Sequence, residues 1–306
     1  MQRLSSPASA RGTAIVLATF VCAALAASTG AASETAAGAP ARASFRGVIV
    51  FWDDSPWPSI WAIRAGSKPR RILRNQQNAK RPRTSPDGKW VAFDGAAPGK
   101  PPISDFDIQV VQLDGANSRT LTNSTEWDVD AQWSPDGTSL TFTRMPPRDG
   151  WLDSWIWAVE ADGTGLRRLA RGEHARWSPD GTKLVLDAPT AKSNGDIFIV
   201  DADGAGRRLV LASPKVEQTA GWSPNGRRIL FTRFTDSSGR RADIYTVKTD
   251  GTGLRKLGSG LAGCWSPDGR KVLYADSYLG RLWIMNADGS GKRRLPRAFG
   301  AEPHWR

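Results

Sequence analysis

The chain has 306 residues, of which 40% are hydrophobic and 24% charged, with fourteen tryptophans, thirty-one glycines and twenty prolines; this reads as a globular chain of short strands joined by frequent turns. The formal charge of +12 leaves nucleic acid or an anionic surface open as partners until the charges are placed. Only Cys22 and Cys264 are available as thiols, and loss of the first with a leader excludes an internal disulfide.

The first element is that leader. Arg3 and Arg11 give a basic start, "GTAIVLATFVCAALAA" over 12–27 is apolar, and small residues follow. Residues 1–32 therefore read as a secretory signal peptide, cleaved near Ala26 or Ala32, with an uncleaved anchor as the alternative. Val21 is too bulky before Cys22 for a lipoprotein site. Residues 33–45, rich in Ala, Gly and Ser, read as a flexible leader. Removing the two leader arginines lowers the charge to +10. No later stretch is long and apolar enough to span a membrane.

Residues 46–306 are built from a repeat. "TSPDGKWVAF" starts at Thr84, and "WSPDGTSLTF", "WSPDGTKLVL", "WSPNGRRILF" and "WSPDGRKVLY" start at Trp133, Trp177, Trp222 and Trp265. The anchor serines are spaced by 49, 44, 45 and 43 residues, the period of a four-stranded propeller blade. The tryptophan lies on strand a. Ser-Pro-Asp-Gly reverses the chain, because Pro presets φ and Gly accepts positive φ. Strand b is apolar ("LTF", "ILF"). Strand c carries an aromatic at Trp157, Phe198, Tyr245 or Trp283. An Asp-Gly turn then leads to a basic strand d ("RRLA", "RKLG"). The first unit, from "VIVF" at 48–51, has no strand a, and the last, "EPHW", has nothing else. The expectation is an all-β, six-bladed propeller in which residues 300–306 join 46–74 as blade 1, removing two open sheet edges.

These WSPDG-type repeats, with the aliphatic-aromatic strand c and "DG…RRL", resemble the TolB-like β-propeller repeat family over about residues 46 to 306. The resemblance implies a propeller-only member and an envelope role in protein binding. Other members of the family carry the propellers of proteases or act as sugar lyases. No Gly-x-Ser-x-Gly nucleophile elbow is present, and fold alone does not carry function.

Candidate chemistry falls on the face formed by the b–c and d–a loops. Trp52, Asp53, Asp54 and Trp57 (blade 1), Glu126, Trp127 and Asp128 (entering blade 3), and Asp149 and Trp151 (blade 3) form a tryptophan-carboxylate patch. Such a patch suits a sugar or a basic or aromatic peptide and argues against nucleic acid. Its alternative role is to cap the blades. Three residues before each anchor stand Arg81, Asp130, His174, Thr219, Ala262 and Glu302, facing the channel. His174 and Asp130, on neighbouring blades, are the one weak acid-base candidate for a lyase or hydrolase. The histidine and cysteine spacing gives no zinc signature and no cofactor motif. The basic d strands ring the rim, as edge protection or for weak contact with anionic surfaces. The expected function is a non-catalytic, secreted, periplasmic or envelope propeller that binds a protein or glycan.

Overall fold

The structure is a computed structural model that describes residues 47–53, 58–64, 67–73, 78–96, 106–146, 153–190, 195–239, 241–277, 280–299 and 301–305. The expected signal peptide and leader lie outside these residues. Among the described residues, twenty-four strands form six four-stranded antiparallel sheets.

Blade 1 is β1 (Val48–Trp52), β2 (Ile60–Arg64) and β3 (Arg70–Arg71), with β24 (Ala301–Trp305) as its innermost strand. Blade 2 runs from β4 (Lys80–Thr84) through β5 (Trp90–Ala96) and β6 (Phe106–Gln112) to β7 (Arg119–Thr120). Blade 3 is β8 (Trp127–Trp133), β9 (Ser139–Met145), β10 (Trp155–Glu160) and β11 (Arg167–Arg171). Blade 4 is β12 (Glu173–Trp177), β13 (Lys183–Ala188), β14 (Asp196–Asp201) and β15 (Arg208–Leu211). Blade 5 is β16 (Glu217–Trp222), β17 (Arg228–Phe234), β18 (Ala242–Lys248) and β19 (Arg255–Ser259). Blade 6 is β20 (Leu261–Trp265), β21 (Lys271–Ala275), β22 (Arg281–Asn286) and β23 (Arg293–Phe299).

The ring closes as the repeat count requires. Ile49 pairs with Trp305 and Val50 with His304. Trp305 is 5% exposed and packs with Ile49, Phe51, Leu273 and Ile284, so one apolar core spans blades 6 and 1. Five further cores sit between successive blades. Covering both sheet faces explains why the b strands are apolar without alternation; β1 is buried along its whole length. At this seam Gly263 has a steric role: a Cβ there would meet Leu273 O at 2.9 Å and Pro303 Cγ at 2.9 Å.

The Ser-Pro-Asp-Gly turn is held by its own side chains. Ser134 Oγ donates to Asp136 Oδ1 at 2.6 Å and accepts from Ser139 N–H at 3.0 Å. Asp136 Oδ1 accepts from Thr138 N–H at 3.0 Å, and Gly137 takes φ of 74°. Asn225 fills the aspartate's place in blade 5, accepting from Ser223 Oγ at 2.8 Å, because only an oxygen acceptor is required there.

Two sets of hydrogen bonds lock neighbouring blades. Trp133 Nε1 donates to Arg83 O at 3.1 Å, and Trp222 Nε1 to Arg176 O at 2.9 Å. On the rim, d-strand arginines reach carbonyls at the next blade's c–d turn: Arg70 to Leu113, Arg119 to Ala161, Arg208 to Thr249 and Arg255 to Asp288, each at 2.8–2.9 Å. Others stack on c-strand aromatics, with the Arg207 guanidinium 3.9 Å from the Phe198 ring centroid and Arg168 4.2 Å from that of Trp155. The basic rim thus has an internal structural use, beyond protecting the sheet edges.

Candidate functional site

The a strands enter from the d–a loop end, and the b strands finish there. Of the expected patch, Asp53, Glu126 and Trp127 lie at this end among the described residues. Trp52, however, is 3% exposed within the core of blades 1 and 2. Its place as a surface residue is corrected: it ends β1 rather than opening the b–c loop. Asp53 shapes that loop, with Oδ1 accepting from Ser59 N–H at 2.9 Å and Oδ2 from Trp61 Nε1 at 2.8 Å. Asp128 is also corrected. It is fully buried and bonded twice by Arg144, at 2.7 and 2.8 Å, so its charge is cancelled within blade 3. Burial pushes the Asp128 carboxyl up, opposed by Arg144.

Trp127 and Glu126 remain at the face. Trp127 is half-buried and meets Phe106 edge-on, ring centroids 5.8 Å apart. Lys80 Nζ lies 5.4 Å from the Phe106 centroid and 5.6 Å from that of Trp52. The Glu126 side chain is 43% exposed, 4.0 Å from Arg144. A run Lys80–Phe106–Trp127–Glu126 therefore edges blades 2 and 3. Asp54, Trp57, Asp149 and Trp151 lie outside the described residues.

The channel is organised by bulges in the a strands. Arg81, Asp130 and His174 sit in these bulges at φ of 49°, 57° and 51°, a left-handed conformation that costs non-glycine residues energy. The bulges of blades 3 to 6 are fixed from the preceding blade. Asp130 N–H donates to Asp94 Oδ1 (3.1 Å), His174 N–H to Thr143 Oγ1 (3.2 Å), Thr219 N–H to Asp187 Oδ1 (2.9 Å) and Ala262 N–H to Thr232 Oγ1 (2.9 Å). The side chain of Glu302 is not among those described.

The His174–Asp130 pair does not form. Asp130 sits between two guanidiniums: Arg176 Nη1 to Oδ2 at 2.7 Å and Arg83 Nη2 to Oδ1 at 3.1 Å. Burial alone would raise its pKa, and the two arginines hold it down at about 2. His174 Nδ1 instead faces Asp187 Oδ2 at 3.0 Å. This repeats blade 2, where Arg81 Nη1 meets Asp94 Oδ2 at 2.9 Å. In both blades one carboxylate oxygen locks the next blade and the other holds a cation. Burial disfavours the charged imidazole, but the Asp187 charge and hydrogen bond, with Asp130 and Glu173 nearby, raise His174 to about 9. His304 ties blade 1 to blade 2, its Nδ1 accepting from Thr84 N–H at 3.3 Å.

Sequence reading missed Arg83, Arg176, Glu173 and Asp187. Arg83 and Arg176 stand one residue before their anchors, so reading that column as well would have shown them. Asp187 is on strand b and needs the strand register. On the opposite, Ser-Pro face the channel opens into a cavity of about 550 Å³, lined by anchor tryptophans, turn prolines, Arg83 and Arg176. Another cavity of about 650 Å³ lies between blades 5 and 6; its arginines are committed, Arg228 to Thr246 and Gly253, and Arg255 to Asp288.

The family profile of the TolB beta propeller domain matches residues 58–263. The Tol-Pal system protein TolB of Anaeromyxobacter dehalogenans (strain 2CP-C) is 33% identical over 117 residues, which cover 36% of this chain and 26% of that protein. The chain thus aligns with about a quarter of such relatives' length. Among solved structures, TolB from Acinetobacter baumannii matches with a TM-score of 0.70 at 20% identity, covering 84% of this chain and 66% of the other. Putative TolB from Agrobacterium tumefaciens matches with a TM-score of 0.62 at 20% identity, covering 84% and 91%. The profile spans well over half of the chain, and the chain belongs to the TolB β-propeller family.

Proposed function

We propose that this chain is a non-catalytic, extracytoplasmic propeller that binds an envelope or extracellular protein, or a glycan, through the b–c/d–a loop face of blades 1 to 3. The observation that carries this reading is the Lys80–Phe106–Trp127–Glu126 run, which offers an aromatic edge, a cation and a carboxylate side by side. Aromatic rings flanked by polar groups are common anchors of protein and sugar recognition. Export is supported by the basic, apolar and small-residue order of residues 1–32. Anionic surfaces are a weaker partner class, because rim arginines are engaged with carbonyls and rings.

The enzymatic alternative, a lyase or hydrolase at the channel mouth, loses its proposed pair: Asp130 is held by Arg83 and Arg176, and His174 faces Asp187 instead.

The test is affinity capture from the native envelope with wild type and with Trp57→Ala/Trp127→Ala/Trp151→Ala. The folded triple variant is expected to lose the partners that wild type retains. Retention of every partner would contradict the reading.

A further inference from the structure

Cross-strand pairing at the channel mouth of blade 4 sets two carboxylates against each other. Glu173 of β12 is the direct register partner of Asp187 of β13. The matching pair in blade 2 is Lys80 with Asp94, and in blade 5 it is Gln218 with Thr232. Like charges placed opposite one another destabilise a sheet, so blade 4 departs from its neighbours in a way that asks for a cation. The His174 side chain lies between them, with Nδ1 3.0 Å from Asp187 Oδ2 and 3.9 Å from Glu173 Oε2. One ligand atom from each residue falls within 4.8 Å of the other two.

Unpaired polar atoms point to the same spot. Glu173 Oε1 is buried without a hydrogen-bond partner among the described residues. Ser154, 2% exposed, sets its hydroxyl against the Glu173 carboxyl, within reach of a hydrogen bond but without the geometry of one. Two ligands with bonds of about 2.1 Å lie at most about 4.2 Å apart, so the 3.0 and 3.9 Å separations fit one ion, and the two carboxylates, within 4.8 Å of each other, need close by about 0.6 Å at most.

We propose that Glu173, His174 and Asp187 form a site for a divalent first-row transition ion, of the Mn²⁺ or Zn²⁺ class, at the channel mouth of blade 4. One imidazole with two carboxylates is a donor set for such ions, and the imidazole disfavours Mg²⁺ and Ca²⁺. The ion takes the place of the proton between His174 Nδ1 and Asp187, which leaves to solvent, and the cluster becomes neutral. Gln218 lies 2.9 Å from His174 Nε2. A half-turn of its amide presents an oxygen to Nε2–H and fixes the ring, the usual outer support of a metal-bound histidine. The ion would tie β12 to β13 where their side chains otherwise repel.

The test uses the untagged chain, stripped with chelator, titrated with MnCl₂ or ZnCl₂ by calorimetry and by thermal melting. Expected are one ion per chain, a rise in melting temperature, and nitrogen coupling from one imidazole in pulsed electron paramagnetic resonance of the Mn²⁺ form. Glu173→Gln should weaken binding at least about tenfold. His174→Arg, which recreates the Arg81–Asp94 arrangement of blade 2, should fold and bind no ion. No Mn²⁺ or Zn²⁺ binding by wild type would overturn the proposal. So would Mn²⁺ lacking imidazole coupling, binding unchanged in both variants, or binding of Ca²⁺ or Mg²⁺ alone.

Discussion

Asp130 is the residue on which the channel's charge balance turns. It is shared by Arg83 and Arg176 while buried itself, its one charge offsetting one of theirs. Asp130→Asn removes the carboxylate they share and should cost about 3–5 kcal/mol in urea unfolding. The pH dependence follows from its lowered pKa. The stability it provides is complete above its ordinary value of 3.8 and lost as pH falls toward about 2. Wild type should therefore lose stability more steeply than Asp130→Asn between pH 4 and 2, read from urea midpoints at each pH. Cys264 offers a second measurement. Burial pushes its thiol up to about 12, and its sulfur accepts from Trp305 N–H at 3.1 Å. Because Cys264 is only partly covered and lines the channel cavity, native protein should react with a thiol dye at pH 8 slowly rather than not at all, and labelling as fast as in urea would show an open seam. None of this was legible in composition. The charge of Asp130 could be read from the sequence, but its partner could not: Arg176 is 46 residues away, and only ring geometry joins them.

At the scale of the element, the repeat was readable because its information is local. Ser, Pro, Asp and Gly each have a separate job within one turn, and those jobs recur in the hydrogen bonds around Ser134 and Asp136. Ser134→Ala should cost about 1 kcal/mol, since its hydroxyl bridges two partners; an unchanged urea midpoint would mean that backbone geometry alone holds the turn. The rim was half-legible. Arginines at the outer strands could be counted, but their reach to the next blade could not. Arg119→Ala removes one bond to the Ala161 carbonyl and a contact with the Trp90 ring. It should lower the melting temperature by a few degrees, as about 1 kcal/mol would in a chain of this size. Trp52 shows the opposite failure. In the string "FWDDSPWPS" it looks like a loop residue, yet β1 is one residue longer than its apolar pattern suggested, which carries the indole into the core.

For the whole molecule, closure and face are the two properties that matter. Closure was deducible from arithmetic: a unit without strand a and a unit with nothing else complete one blade. Trp305→Ala should cost about 3–5 kcal/mol, by removing a large side chain from the core of blades 6 and 1. Removing residues 301–306 should unfold or aggregate the ring, and an unchanged melting temperature would refute this closure. The face was deducible only in outline, because burial and ion pairing remove Trp52 and Asp128 from it and leave Trp127 and Glu126. The most direct measurement is site-specific photo-crosslinking in intact cells. A photoreactive phenylalanine analogue replaces Trp127 on the proposed face and, in a separate variant, Asn225 on the opposite turn face. Discrete adducts from position 127 and none from 225 are predicted. Adducts from 225 alone, or none from 127 in a folded and exported protein, would contradict the account.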